Sequence, residues 1–309
     1  MTTYPGLLQA WELGSRVTRA LSLLESCSLC PRNCPVNRLR CETGKCPFGR
    51  YASVSSPGFH FGEEYPLSGV NGSGTICFTR CNLKCVFCQN SNISQKDDAS
   101  IVTKHQLARI ILGLQALDCH NINLISPTHV VPQILEDLEE EASEGLTVPI
   151  VYNSGGYDSP ATLALLDGVV DIYKPDMKYS DEITRRRYSG VRNYPEVNWA
   201  SVLEMHRQVG NHCTDKKGIA VRGLLVRHPV LPHDLAGTRE TVRFLAGEIS
   251  RETYLNIMAQ YHPSYRASSF TLLDRPVTGA EFKGALIWAA EEGLERLDHR
   301  TKTPMVPRF

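Results

Sequence analysis

At 309 residues, 42% hydrophobic and 21% charged, the chain is long enough for one large α/β domain, or a barrel with a small appendage, and unlike a disordered protein. Lysine plus arginine and aspartate plus glutamate balance at 33 each, so no bulk field draws the chain to nucleic acid, and no apolar run approaches the roughly 20 residues that span a bilayer. Of 11 cysteines, nine lie between Cys27 and Cys88, behind an N-terminus without a basic region followed by an apolar one, which reads as metal ligation in a reducing, cytoplasmic compartment rather than disulfide bonding.

In chain order, Val17, Ala20, Leu21 and Leu24 mark a helical face within residues 6–24. Cys27, Cys30 and Cys34 follow in a C-x2-C-P-R-x-C run, then Cys41 and Cys46, among the turn residues Pro31, Asn33, Pro35, Gly44, Pro47 and Gly49. This segment is a compact loop with three readings: a zinc knuckle, a second iron–sulfur cluster that feeds electrons inward, or thiols without a ligand role.

The strand Thr75–Thr79 leads into Cys81-Asn82-Leu83-Lys84-Cys85-Val86-Phe87-Cys88, spaced C-x3-C-x2-C. Three thiolates on one loop ligate three irons of a cubane and leave the fourth open to a small molecule. A closed zinc site would want a fourth ligand, and between Asn90 and Gln106 only the distant, helical His105 is available. The site is therefore expected to be an open iron–sulfur site.

Beyond it, strands at 122–125, 149–152, 169–173, 219–226 and 254–259 alternate with helical faces, among them Leu107/Ile110/Ile111/Leu114 and Val131/Ile134/Leu135/Leu138. Counted from Thr75 there are six strand–helix units, too few for an eight-stranded barrel, with right-handed crossovers and a parallel sheet. The polar residues that end these strands are Arg80; Ser126, Thr128 and His129; Asn153 and Ser154 with Gly155 and Gly156; Lys174, Asp176 and Lys178; Arg222, Arg227 and His228; and Gln260, Tyr261 and His262. Chemistry gathers at such ends. Cys77, Cys119 and Cys213 stand outside both cysteine groups and read as buried thiols of small hydrophobic character.

The triplet, with Phe87 just before its last cysteine, resembles the cluster loop of the radical S-adenosylmethionine (SAM) superfamily. The N-terminal C-x2-C-P-R-x-C-x-V-N-R run, with Glu42, Gly44 and Cys46, resembles the pyruvate formate-lyase activating enzyme-like subgroup. Cys41 departs from that pattern, where glycine is expected, so Cys27, Cys30, Cys34 and Cys46 are the preferred second metal set.

The resemblance implies a partial (βα)6 TIM-like barrel over 71–309, preceded by an N-terminal helix and cysteine-rich segment over 1–70. It implies a 4Fe–4S cluster on Cys81, Cys85 and Cys88, with SAM on its unique iron and Phe87 against the adenine. Ser126, Thr128, His129, Asn153, Ser154, Gly155 and Lys174 are the expected cofactor contacts, with Ser126-Pro127-Thr128-His129 in place of the Gly-Gly-Glu stretch of many relatives. The implied activity is reductive cleavage of SAM to a 5′-deoxyadenosyl radical that takes hydrogen from a protein, peptide or small molecule, including activation of a glycyl radical enzyme. A flavodoxin- or ferredoxin-type electron donor is the expected partner. The competing reading is an iron–sulfur redox carrier or metal-stapled binding module without SAM cleavage; a nucleic-acid-modifying enzyme is argued against by the balanced charge.

Overall fold

The computed structural model describes residues 12–95, 100–143 and 145–302. Its centre is a nine-stranded sheet. Six strands pair in parallel in the spatial order β2 (Ser73–Phe78), β4 (Ile122–Ile125), β5 (Ile150–Ser154), β6 (Ile172–Pro175), β8 (Ala220–Pro229) and β9 (Tyr254–Met258). Every residue of β5 and β6 is buried, the pattern of parallel strands covered on both faces.

The crossovers are helices whose apolar faces follow from spacing. α2 (Lys104–Ala116) buries Leu107, Ala108, Ile111 and Leu114, and starts in a capping box between Thr103 and Gln106. α3 (Val131–Ser143) packs beside it, and α1 (Glu12–Ser22) lays Leu13, Val17 and Ala20 into the same core. α4 (Glu182–Ser189), α5 (Tyr194–Val209) and α6 (Thr238–Phe244) complete the later crossovers. α7 (Gly279–Glu291), capped by Thr278 and Glu281, packs on α6.

Three strands were not expected. β1 (Ala52–His60) runs antiparallel beside β2, and β3 (Ser100–Val102) antiparallel beside β1. Pro57, Gly58 and a register shift between Val54 and Ser56 hide the alternation of β1 from a sequence reading. β1 falls within residues 1–70, yet it is hydrogen-bonded to β2 from Val54 to His60. A short antiparallel β7 (Cys213–Thr214) borders β8.

Cys27 to Cys46 form turns around a single 3₁₀ turn at Arg38–Arg40, which Asn37 caps by accepting from the Arg40 amide. Among the described residues no helix is long and apolar enough to cross a membrane.

Candidate functional site

The parallel strands deliver their C-terminal ends to one side of the sheet, where a cavity of about 720 Å³ opens. One wall is the loop after β2. Two residues there, Arg80 (φ 63°) and Lys84 (φ 79°), take left-handed backbone and turn the loop tightly enough for Cys81, Cys85 and Cys88 to line the same cavity.

Each thiol meets a polar group. Ser189 Oγ donates to Cys85 Sγ at 2.9 Å and is itself hydrogen-bonded to Tyr179 Oη at 2.7 Å. Cys88 Sγ and Ser94 Oγ share a bond at 3.1 Å, and the Leu83 amide points at Cys81 Sγ at 3.5 Å. Burial pushes the Cys81 thiol up to about 12, with the neighbouring Cys85 adding to the rise, so metal coordination is what would hold these sulfurs as thiolates.

Opposite the thiols sits a charged group. Asp176 Oδ2 takes Lys178 Nζ at 2.5 Å and Oδ1 takes Arg227 Nε at 2.7 Å, while Arg227 Nη2 donates to Asn153 Oδ1 at 2.8 Å. Burial opposes the charge on Asp176, but Arg227 and Lys178 outweigh it and hold the carboxyl below its usual range. Burial likewise opposes the Lys178 cation, which Asp176 and the Cys85 sulfur keep protonated.

Phe87 lines the cavity edge-on to Tyr179 and Tyr261, with ring centroids 6.1 and 6.0 Å away. Gly155 lines it where β5 ends; a Cβ there would come within 2.6 Å of Leu83 Cδ1, so the glycine lets the cluster loop close on the strand. Ser126 (φ 58°), Asn153 and Ser154 line the same wall. Phe87, Ser126, Asn153, Ser154 and Gly155 are thus gathered with the three cysteines.

Three sequence-expected contacts are placed elsewhere. Thr128 Oγ1 donates to Asp158 Oδ1 at 2.6 Å, in a buried group where Tyr152 and Ser154 hydroxyls also donate to Asp158. His129 is buried, stacked on Phe48 at 5.0 Å, with its imidazole pushed down to about 3 by burial and by Arg38. Left-handed Ser126 and the 3₁₀ turn after it rotate both side chains off the cavity. Lys174, fully buried, pairs with Glu63 and with Glu64 Oε2 (3.0 Å) beneath the cavity wall instead of entering it. None of these three lines the cavity.

Sequence reading missed the wall away from the thiols: Glu63, Glu64, Asn256 and Arg300. Glu64 Oε1 takes Asn256 Nδ2 at 2.7 Å and Arg300 Nη2 at 2.8 Å. The adjacent Glu63-Glu64 pair was the available signal, but it follows the unrecognised β1 and reads as solvated surface. Cys77 also lines the cavity, whereas Cys119 is buried beside Gly74 and Cys213 is exposed.

A protein of Methanocaldococcus jannaschii, named only as uncharacterized protein MJ0674, is 30% identical over 292 residues, spanning 92% of this chain and 80% of the relative. A family model described as the radical SAM superfamily matches residues 75–219. Residues 75–219 of this chain carry a radical SAM domain. Among solved structures it is similar to TYW1 with a lysine–pyruvate adduct bound (TM-score 0.43, 14% identity, 70% of this chain and 73% of that one). It is also similar to a radical SAM methyltransferase from Sphaerobacter thermophilus (TM-score 0.47, 14% identity, 98% and 97%).

A radical SAM domain implies an enzyme with SAM and a 4Fe–4S cluster. The residues present fit that group: three thiols, not four, face a cavity of ligand size that also holds a cation, a carboxylate and an aromatic edge. Among the described residues no three Cys, His, Asp or Glu side chains gather round one point as ligands of a single ion do. A cubane takes its thiolates at separate irons.

Proposed function

We propose that this chain is a radical SAM enzyme that cleaves SAM reductively at a 4Fe–4S cluster on Cys81, Cys85 and Cys88 and removes a hydrogen atom from a substrate bound in the same cavity. One observation carries the reading: the three thiols and Phe87, Ser126, Asn153, Ser154 and Gly155 line a single cavity at the C-terminal ends of parallel strands. When bound, cluster and SAM together supply a 5′-deoxyadenosyl radical.

The chain's own residues bind and orient. Phe87, held between Tyr179 and Tyr261, would lie against the adenine. Asn153, hydrogen-bonded by Arg227, and the backbone at Ser126 and Gly155 would hold the methionyl end. Lys178 stays cationic on Asp176 beside the thiols and offsets the negative charge that thiolates bring. The wall formed by Glu63, Glu64, Asn256 and Arg300 receives a polar substrate, whether small molecule, peptide or protein segment.

The finer reading is a partial (βα)6 barrel of the pyruvate formate-lyase activating enzyme-like kind, cytoplasmic and reduced by a flavodoxin- or ferredoxin-type donor. It carries a second metal site, zinc or iron–sulfur, on Cys27, Cys30, Cys34 and Cys46. Activation of a glycyl radical enzyme is one form of this chemistry.

Equilibrium binding of SAM to the anaerobically reconstituted protein tests the proposal. About one SAM per chain is expected in the wild type, and none in a Cys81→Ala/Cys85→Ala/Cys88→Ala variant that keeps its far-UV circular dichroism. Equal binding in both, or none by the loaded wild type, would contradict it and favour a redox carrier.

A further inference from the structure

Four thiols of the N-terminal segment form one neighbourhood. Cys30 and Cys46 lie within electrostatic reach of each other and of Cys27, and Cys46 of Cys34. Backbone N–H groups point at two of these sulfurs, Lys45 at Cys34 Sγ (3.5 Å) and Arg32 at Cys30. Gly44 passes so close that an added Cβ would meet Cys34 Cβ at 2.7 Å. Cys41 is exposed, turned out on left-handed backbone (φ 60°) against Gly49.

Beside Cys46 lies a guanidinium that the rest of the fold does not account for. Arg38 is 1% exposed. Its Nε donates to the carbonyls of Phe48 and Gly49, both at 3.1 Å, and its Nη1 to that of His129 at 2.7 Å. All three acceptors are neutral, and Nη2 has no hydrogen-bond partner among the described residues. A buried cation without a counter-anion is costly, so Arg38 calls for negative charge at the adjoining thiols.

The segment also touches the catalytic loop. Arg32 Nε donates to the carbonyl of Asn82, the residue after Cys81. The Asn82 side chain, buried and anchored on the Tyr157 carbonyl at 2.7 Å, lies between Cys81 Sγ (3.9 Å) and the Cys30 thiol, which it reaches as a hydrogen-bond partner. The two cysteine groups therefore share one residue as their boundary.

We propose that Cys27, Cys30, Cys34 and Cys46 hold a second iron–sulfur cluster, balanced by Arg38, that passes electrons across Asn82 to the cluster on Cys81, Cys85 and Cys88. One electron enters from a flavodoxin- or ferredoxin-class donor, which is oxidised by one electron, and the same electron leaves across Asn82; no bond or proton is exchanged. The relay rests on the radical SAM reading; the second cluster does not.

The test is metal content and electron paramagnetic resonance of three anaerobically reconstituted proteins: wild type, Cys81→Ala/Cys85→Ala/Cys88→Ala, and Cys27→Ser/Cys30→Ser/Cys34→Ser/Cys46→Ser. About eight irons are expected in the wild type and about four in each variant. Reduced wild type should show magnetically coupled signals, and each variant an uncoupled one. About four irons with a zinc in the wild type, or about four irons and no zinc, would overturn the second cluster. Eight irons with uncoupled signals would overturn the relay. Should the N-terminal variant not fold, the wild type and the other variant decide alone. Eight coupled irons without SAM cleavage would uphold the second cluster while the radical SAM reading failed.

Discussion

Lys174 shows how a rim residue can be structural. Its ammonium is enclosed with Glu63 and Glu64, so replacing it leaves two buried carboxylates short of a cation, although Glu64 keeps Arg300 and Asn256. Lys174→Met is expected to lower stability by about 3–5 kcal/mol, read from urea unfolding. A loss under 1 kcal/mol would mean the pair is not enclosed as described.

His129 gives a pH signature. Burial, then Arg38, lowers its folded pKa to about 3 from 6.5. The unfolded chain therefore takes the proton first. This histidine's contribution is complete above pH 6.5 and is lost as the pH falls towards 3. Between pH 7.5 and 5.5 the wild type should lose about 1.4 kcal/mol more than His129→Phe, which retains the stack on Phe48. Parallel unfolding curves for the two proteins would contradict the assignment.

At the scale of elements, the cavity depends on how β5 ends. Gly156 has φ 71°, and a Cβ there would lie 2.1 Å from Asn198 Nδ2 and 2.2 Å from the Asp176 carbonyl. The Asn198 amide ties those carbonyls together, donating to Gly156 O at 2.9 Å and Asp176 O at 3.0 Å. Gly156→Ala should cost at least 1–3 kcal/mol through backbone strain and move Asp176, lowering SAM affinity together with stability. Thermal melts and SAM titration on one preparation check both; unchanged affinity in a destabilised variant would separate the turn from the site.

The alternation of strands and helices was legible because parallel strands buried on both faces leave apolar runs such as Pro149–Tyr152. β1 was not, because Pro57 and Gly58 interrupt it and one edge is covered only by the three-residue β3. The cysteine triplet was legible because its ligands are local in sequence. The Glu63–Lys174 pair was not, because the partners are 111 residues apart and meet only through sheet order. That Thr128 and His129 do not line the cavity was not legible, because strand-end direction depends on the backbone of one residue, Ser126.

For the whole molecule, Cys81, Cys85 and Cys88 bring the loop that carries Asn82 to one mixed-charge cavity. A balanced net charge gives the whole chain no net long-range pull on a charged partner. The central claim is SAM cleavage. The direct measurement is 5′-deoxyadenosine formed when SAM and dithionite are added anaerobically to the reconstituted wild type and to Cys81→Ala/Cys85→Ala/Cys88→Ala. Product from the wild type alone is the predicted result; no product from a wild type with a fully loaded cluster would contradict it.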